Sequence, residues 1–146
     1  MKLAIFGRKS DRHDLRILKQ FFAFLKERGF PYLVHPPYAR DLAAEYEDYL
    51  EDVSPYLLKD EADLQGCDFA FSFGGDGTFL ETARVVRDSI PLLGVNFGRL
   101  GFLTSIMAND LLGATDELSR DMYRIDTRTG LTVETSMEGL FGEDQF

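Results

Sequence analysis

The sequence predicts an α/β fold, a three-layer domain built on a parallel sheet. Two observations carry this. Short, almost wholly apolar runs recur and are closed by glycine or proline, as in Lys2-Leu3-Ala4-Ile5-Phe6 before Gly7 and Asp68-Phe69-Ala70-Phe71-Ser72-Phe73 before Gly74. Between them lie segments whose apolar residues return at three- and four-residue steps. Strands buried on both faces read as continuous apolar runs, and strands that alternate with helices imply parallel crossovers.

The first run, residues 2–6, is a buried strand that ends in a turn at Gly7. A helix follows, which Ser10 or Asp11 can cap. Its buried face carries Leu15, Leu18, Phe22 and Leu25, and Gly29 closes it. Tyr32-Leu33-Val34 is a second short strand, stopped by Pro36-Pro37. Residues 39–52 predict an acidic helix with Leu42, Tyr46, Tyr49 and Leu50 on its apolar side. Residues 53–66 fit no single element, and Pro55 breaks them. The strand at 68–73 runs into the turn Gly74-Gly75-Asp76-Gly77, followed by a helix over 78–86 and a strand over 90–95. Asn109 is placed to cap a last helix over 110–119. Leu131-Thr132-Val133-Glu134-Thr135 alternates in period two, which suits a strand with one solvated face. This change of pattern puts a domain boundary near residue 124, with an α/β domain at 1–124 and the start of a β-rich one at 125–146.

Composition narrows the function. The chain has 146 residues, enough for one domain with a sizeable core, and 45% of them are hydrophobic. A net charge of −9 argues against nucleic acid or an anionic membrane as partner. It does not exclude a nucleotide, because a small anion reads local donors. The acidic run at 41–63 reads as a solvated helix face rather than a metal site, and His13 and His35 have no partners at ligand spacing. The single cysteine, Cys67, excludes an intrachain disulfide and reads as a buried structural thiol. No apolar run is long enough for a signal peptide or a membrane helix, so a soluble, cytoplasmic protein is expected.

The chemistry concentrates at two glycine turns. Ligands of open parallel sheets bind beyond the carboxyl ends of the strands, where Gly74-Gly75-Asp76-Gly77-Thr78 would lie. Three glycines in four residues permit positive φ and clear side chains from the path of a phosphate. The helix behind them offers unpaired N–H groups and the positive end of its dipole. Asp76 is the odd member: a carboxylate there binds a metal, takes a proton from a nucleophile, or merely caps the helix. No Lys-Ser or Lys-Thr follows the glycines, so this is not a P-loop, nor is it the dinucleotide fingerprint. The second turn is Asn96-Phe97-Gly98-Arg99-Leu100-Gly101-Phe102-Leu103-Thr104. In it Asn96 can bond a sugar or phosphate, Arg99 can bind phosphate, and Phe102 can stack on a base, while Leu100 and Leu103 read as core. Gly7-Arg8-Lys9-Ser10 adds two cations at the same edge, either phosphate contacts or an exposed basic turn.

Gly74-Gly75-Asp76-Gly77-Thr78 resembles the signature of a kinase superfamily that includes NAD kinases, diacylglycerol and sphingosine kinases and 6-phosphofructokinases. The second turn looks specifically like the NAD kinase motif, and the first strand, residues 111–118 and residues 123–128 match that family's layout. The resemblance implies ATP-dependent phosphorylation of the adenosine ribose 2′-hydroxyl of NAD, giving NADP, with a divalent metal, usually magnesium, accompanying ATP. By the same resemblance Asp76 matches the general base, Gly77 a backbone contact to the dinucleotide, and Phe102 a residue lining the adenine pocket. Gly74 and Gly75 match the phosphate loop, and Thr78 and Asn96 join the nucleotide-binding set. Such kinases run to about twice this length, with a β-rich second domain and a further Asn-Glu or Asn-Asp pair, so a truncated chain, inactive alone, is expected. The full-length form is expected to be a homo-oligomer. Glu81 departs from the pattern, standing where many members carry a basic residue. A lipid kinase domain and a non-catalytic nucleotide-binding module are the alternatives. Apolar surface meant for a second domain predicts self-association of this chain.

Overall fold

Leu3 and Ile5 lie on one side of the first strand and Ala4 and Phe6 on the other, and all four are buried. Both faces of the sheet are therefore covered, as the unbroken apolar run requires. The computed structural model describes residues 1–8, 12–45, 57–59, 61–98 and 101–131. The strands β1 (Leu3–Gly7), β2 (Tyr32–Val34), β3 (Phe69–Phe73), β4 (Leu92–Asn96) and β5 (Ile106–Met107) form one sheet in the order β2-β1-β3-β4-β5. Every pairing is parallel. The α/β three-layer expectation holds.

One face is built from large side chains. Phe69, Phe71 and Phe73 of β3 pack with Leu3, Ile5 and Val95 against Leu18, Phe21 and Leu25 of α1 (Arg12–Glu27). Phe21 lies 5.8 Å from the Phe71 ring and 5.4 Å from Phe73, centroid to centroid. Edge-to-face and offset contacts of this kind add about 0.5–1.5 kcal/mol beyond area burial. Gly29, with φ +65, closes α1: its N–H reaches the Lys26 carbonyl and the next N–H, of Phe30, reaches that of Leu25. This pair of bonds satisfies carbonyls the helix end leaves over.

The opposite face uses smaller residues. Ala4, Ala70 and Ser72 line it beside Phe6, and Val86 of α3 (Asp76–Val86), Leu58, Leu64 and Cys67 cover it. Small strand residues let α3 sit close to the sheet. Burial raises the Cys67 thiol above its ordinary range, in keeping with a structural role.

Several boundaries differ from the sequence expectation. Pro36 and Pro37 do more than stop β2: they open α2 (Pro36–Glu45), where a missing N–H costs nothing and the fixed φ is already helical. Leu42 is buried as expected, while Tyr46, Tyr49, Leu50 and residues 53–56 lie outside the described residues. Leu57 bridges to Val34, and Glu61–Gly66 forms a 3-10 helix. α3 begins two residues before the expected start at 78. The fifth strand was not expected at all. Asn109 lies inside a 3-10 turn, Ala108–Asp110, so the cap position of α4 (Leu111–Ser119) falls to Asp110, whose side chain makes no capping bond. Residues 122–131 run exposed and without helix or strand. Leu131 is thus outside any strand, and the rest of the expected strand to 135 lies outside the described residues.

Candidate functional site

Parallel register brings three strand ends to one edge. Gly7 stands beside Phe73, and Phe73 beside Val95. The Arg8 N–H then donates to the Phe73 carbonyl at 3.2 Å and the Gly74 N–H to the Val95 carbonyl at 2.9 Å. The chain leaves β1 for β2 on one side while β3 lies on the other, a switch point of the kind where open sheets hold ligands. His35, just after β2, packs on Phe6 with the ring centroids 4.9 Å apart and the planes tilted by 32°.

The first turn is shaped from within at one glycine and left open at two. Gly74 has φ +151, and a Cβ there would come 2.5 Å from the Thr78 Oγ1. Only glycine fits that position. A Cβ at Gly75 or Gly77 would meet nothing within 4 Å. Packing does not explain these two glycines, and the space beside them is open. Thr78 is buried beneath the turn rather than on its open side. Behind it Thr82 donates to the Thr78 carbonyl at 2.9 Å and accepts from Ser72 at 2.9 Å, so buried hydroxyls tie the helix start to β3.

Asp76 does not cap its own helix; the cap position is Gly75, with no side-chain bond. Its carboxylate reaches across to the second turn. Oδ2 accepts the Phe102 N–H at 2.8 Å, and Oδ1 accepts those of Leu103 at 3.0 Å and Thr104 at 3.3 Å. Hydrogen bonds from Phe102 first, then Leu103, hold this carboxyl below its usual range against a smaller opposing effect of desolvation. The group is ionised at neutral pH.

The second turn is organised by Asn96 and Thr104. Asn96 is buried; its Oδ1 accepts the Gly98 N–H at 2.8 Å and its Nδ2 donates to Thr104 Oγ1 at 3.2 Å. The Gly101 N–H reaches the same hydroxyl at 3.3 Å. Asn96 therefore shapes the loop with its side chain, rather than presenting it to solvent. Leu103 is half-buried, and Phe102 is 98% exposed, free of the core. Arg99, Leu100, Lys9 and Ser10 lie outside the described residues.

Sequence reasoning placed the two turns together but assigned no role to Thr104, Gly94 or the pair Arg8–Glu81. A Cβ on Gly94 would come 2.8 Å from both Phe79 and the Thr104 Cα, so this glycine lets the second turn lie on β4. A glycine inside a strand is the signal that marks such an approach. Arg8 pairs with Glu81 at 2.6 Å.

The sequence model of the ATP-NAD kinase N-terminal domain matches residues 3–123. An NAD kinase of Cytophaga hutchinsonii is 31% identical over 100% of this chain and 49% of its own length. One from Pyrococcus furiosus is 33% identical over 95% of this chain and 46% of its own. The chain spans about half the length of the curated relatives it matches. The fold is also that of the yeast NADH kinase crystallised with NADH, at TM-score 0.63 and 19% identity over 84% of this chain and 38% of that one. An Archaeoglobus fulgidus NAD kinase crystallised with ATP has the same fold, at TM-score 0.54 and 22% identity over 83% of this chain and 38% of that one. With the two glycine turns meeting at Asp76 and the family match running across both, the chain belongs to the ATP-NAD kinase family.

Proposed function

We propose that this chain supplies the phosphate-handling half of an enzyme that transfers the terminal phosphoryl group of ATP to the 2′-hydroxyl of the adenosine ribose of NAD, giving NADP. The observation that carries the reading is the open space at Gly75 and Gly77 beside a carboxylate clasped to the second turn. The helix start behind the glycines offers N–H donors to phosphate oxygens. Phe102, exposed and bonded through its N–H to Asp76, would stack on an adenine in this scheme.

Asp76 receives the 2′-hydroxyl in this scheme. Oδ2 accepts one N–H in the described contacts and keeps capacity for another hydrogen bond. A carboxylate held below its usual range is a weak base. Phosphoryl transfer through a loose transition state asks more for positioning than for basicity, so Asp76 orients the hydroxyl and takes its proton late. Among the described residues no group of three His, Cys, Asp or Glu could hold a metal ion. Magnesium would arrive on ATP, with phosphate oxygens as its ligands; no residue of this chain is assigned to it. Gly74 sets the turn, and Thr78 and Asn96 serve the nucleotide through the backbone they hold.

No helix among the described residues is long and apolar enough to cross a membrane. We place the domain boundary near residue 124, and a cytoplasmic homo-oligomer is part of the same proposal for the full-length protein. A coupled NADP assay with NAD, ATP and magnesium tests it on this chain and on a version extended by the half its relatives carry. NADP from the extended version alone is expected; NADP from neither would overturn the reading.

A further inference from the structure

We propose that Glu81 is a built-in competitor for the anion the first turn receives, holding Arg8 aside until a polyphosphate takes its place. This rests on the reading of that turn as a nucleotide-phosphate site. Arg8 follows β1 directly, and its N–H is bonded to the Phe73 carbonyl, so its backbone is fixed at the root of the Gly74 turn. Glu81 lies one helical turn after Gly77, on the same exposed face of α3. Helical side chains lean toward the helix start, so the Glu81 side chain leans in the direction of the first turn. Arg8 Nη2 meets Glu81 Oε1 at 2.6 Å, with the two side chains 63% and 55% exposed.

An exposed pair of this kind is held weakly and is screened by salt. A polyphosphate brings more charge and more acceptor oxygens, and a guanidinium fork matches them with paired bonds. Arg8 therefore exchanges partners when phosphate enters, and Glu81 sets how much affinity is lost in the exchange. Glu81 thus tunes affinity through Arg8 and need not touch the reacting atoms.

Titration calorimetry with inorganic tripolyphosphate and, separately, ATP decides it, on the wild-type chain, Glu81→Gln, Arg8→Gln and the double variant. Glu81→Gln is expected to bind tripolyphosphate about fivefold more tightly, the equivalent of one exposed ion pair. Arg8→Gln is expected to bind it less tightly, and Glu81→Gln to add nothing in that background. A gain that persists without Arg8 would mean general charge repulsion and overturn the proposal. So would no gain, or no tripolyphosphate binding by any variant. The Arg8-dependent gain for tripolyphosphate with no ATP binding would leave the exchange standing and sink the nucleotide reading. ATP binding without that gain would do the reverse.

Discussion

Gly101 and Asp76 are packed so closely that a Cβ at residue 101 would lie 2.1 Å from the Asp76 Oδ1. The carboxylate cannot turn away without leaving its three backbone donors. Gly101→Ala should therefore break the link between the two turns. In an extended, active version the rate of NADP formation should fall roughly 10²-fold, the cost of a misplacement of about an ångström. Unchanged activity with the Phe102–Thr104 amides still protected from exchange would refute the coupling.

The glycines of the first turn should separate stability from binding. Gly74→Ala meets both a positive φ and the Thr78 hydroxyl, and should cost about 1–3 kcal/mol in urea unfolding. Gly77→Ala lies in open space within the first turn of α3. It should stabilise the fold by about 0.5–1 kcal/mol while weakening ATP binding. If the Gly77 substitution leaves ATP affinity intact, the open space is not a phosphate path.

Asp76→Ala in an extended version should lower the rate by roughly 10²–10⁴-fold, with Asp76→Asn falling between it and wild type because one acceptor oxygen remains. The lowered pKa has a definite sign. The loop contact is present above the ordinary carboxyl value of 3.8 and is lost as pH falls through the lower folded value. The amide signals of residues 102–104 should stay constant through neutral and mildly acid pH. A shift in them centred near neutrality would contradict the assignment.

His35 should make the fold acid-sensitive. Burial first, then the charge of Arg40, lowers its pKa below 6.5. The unfolded chain takes up the proton more readily, so this contribution to stability is present above 6.5 and is lost as pH falls below it. Urea midpoints measured at neutral and mildly acid pH should converge in His35→Gln. An undiminished difference would assign the sensitivity elsewhere.

Met122, Ile125 and Leu131 are 62%, 63% and 92% exposed on one segment without helix or strand. Exposed apolar residues close together in the chain favour association. Sedimentation of this chain should show a concentration-dependent increase in mass that Ile125→Asp with Leu131→Asp removes. Monomeric behaviour at high concentration would count against it.

What could be read in advance depended on how local its cause was. The strand Phe69–Phe73 and the stripe Leu15, Leu18, Phe22, Leu25 are written in neighbouring residues, and both were legible. The start of α2 was not, because Pro36-Pro37 signals a strand's end and a helix's first turn with equal force. A two-residue strand, Ile106–Met107, has too few positions to show a period. In the site, the glycines announced the turns, but the grip of Asp76 on residues 102–104 depends on tertiary packing between segments far apart in sequence. The same distance hid the pairing of Arg8 with Glu81.

The strand order has a consequence for how the chain is made. β1 leaves the ribosome well before β3, yet Leu3 pairs with Phe69 and Gly7 with Phe73. Until β3 has emerged, β1 can be closed on the β2 side only, and the apolar run Leu3–Gly7 keeps an unpaired edge in the nascent chain. The first glycine turn is therefore assembled late, because its root bond, from the Arg8 N–H to the Phe73 carbonyl, needs that closure. Translation speed between residues 34 and 69 sets how long the edge waits for its partner.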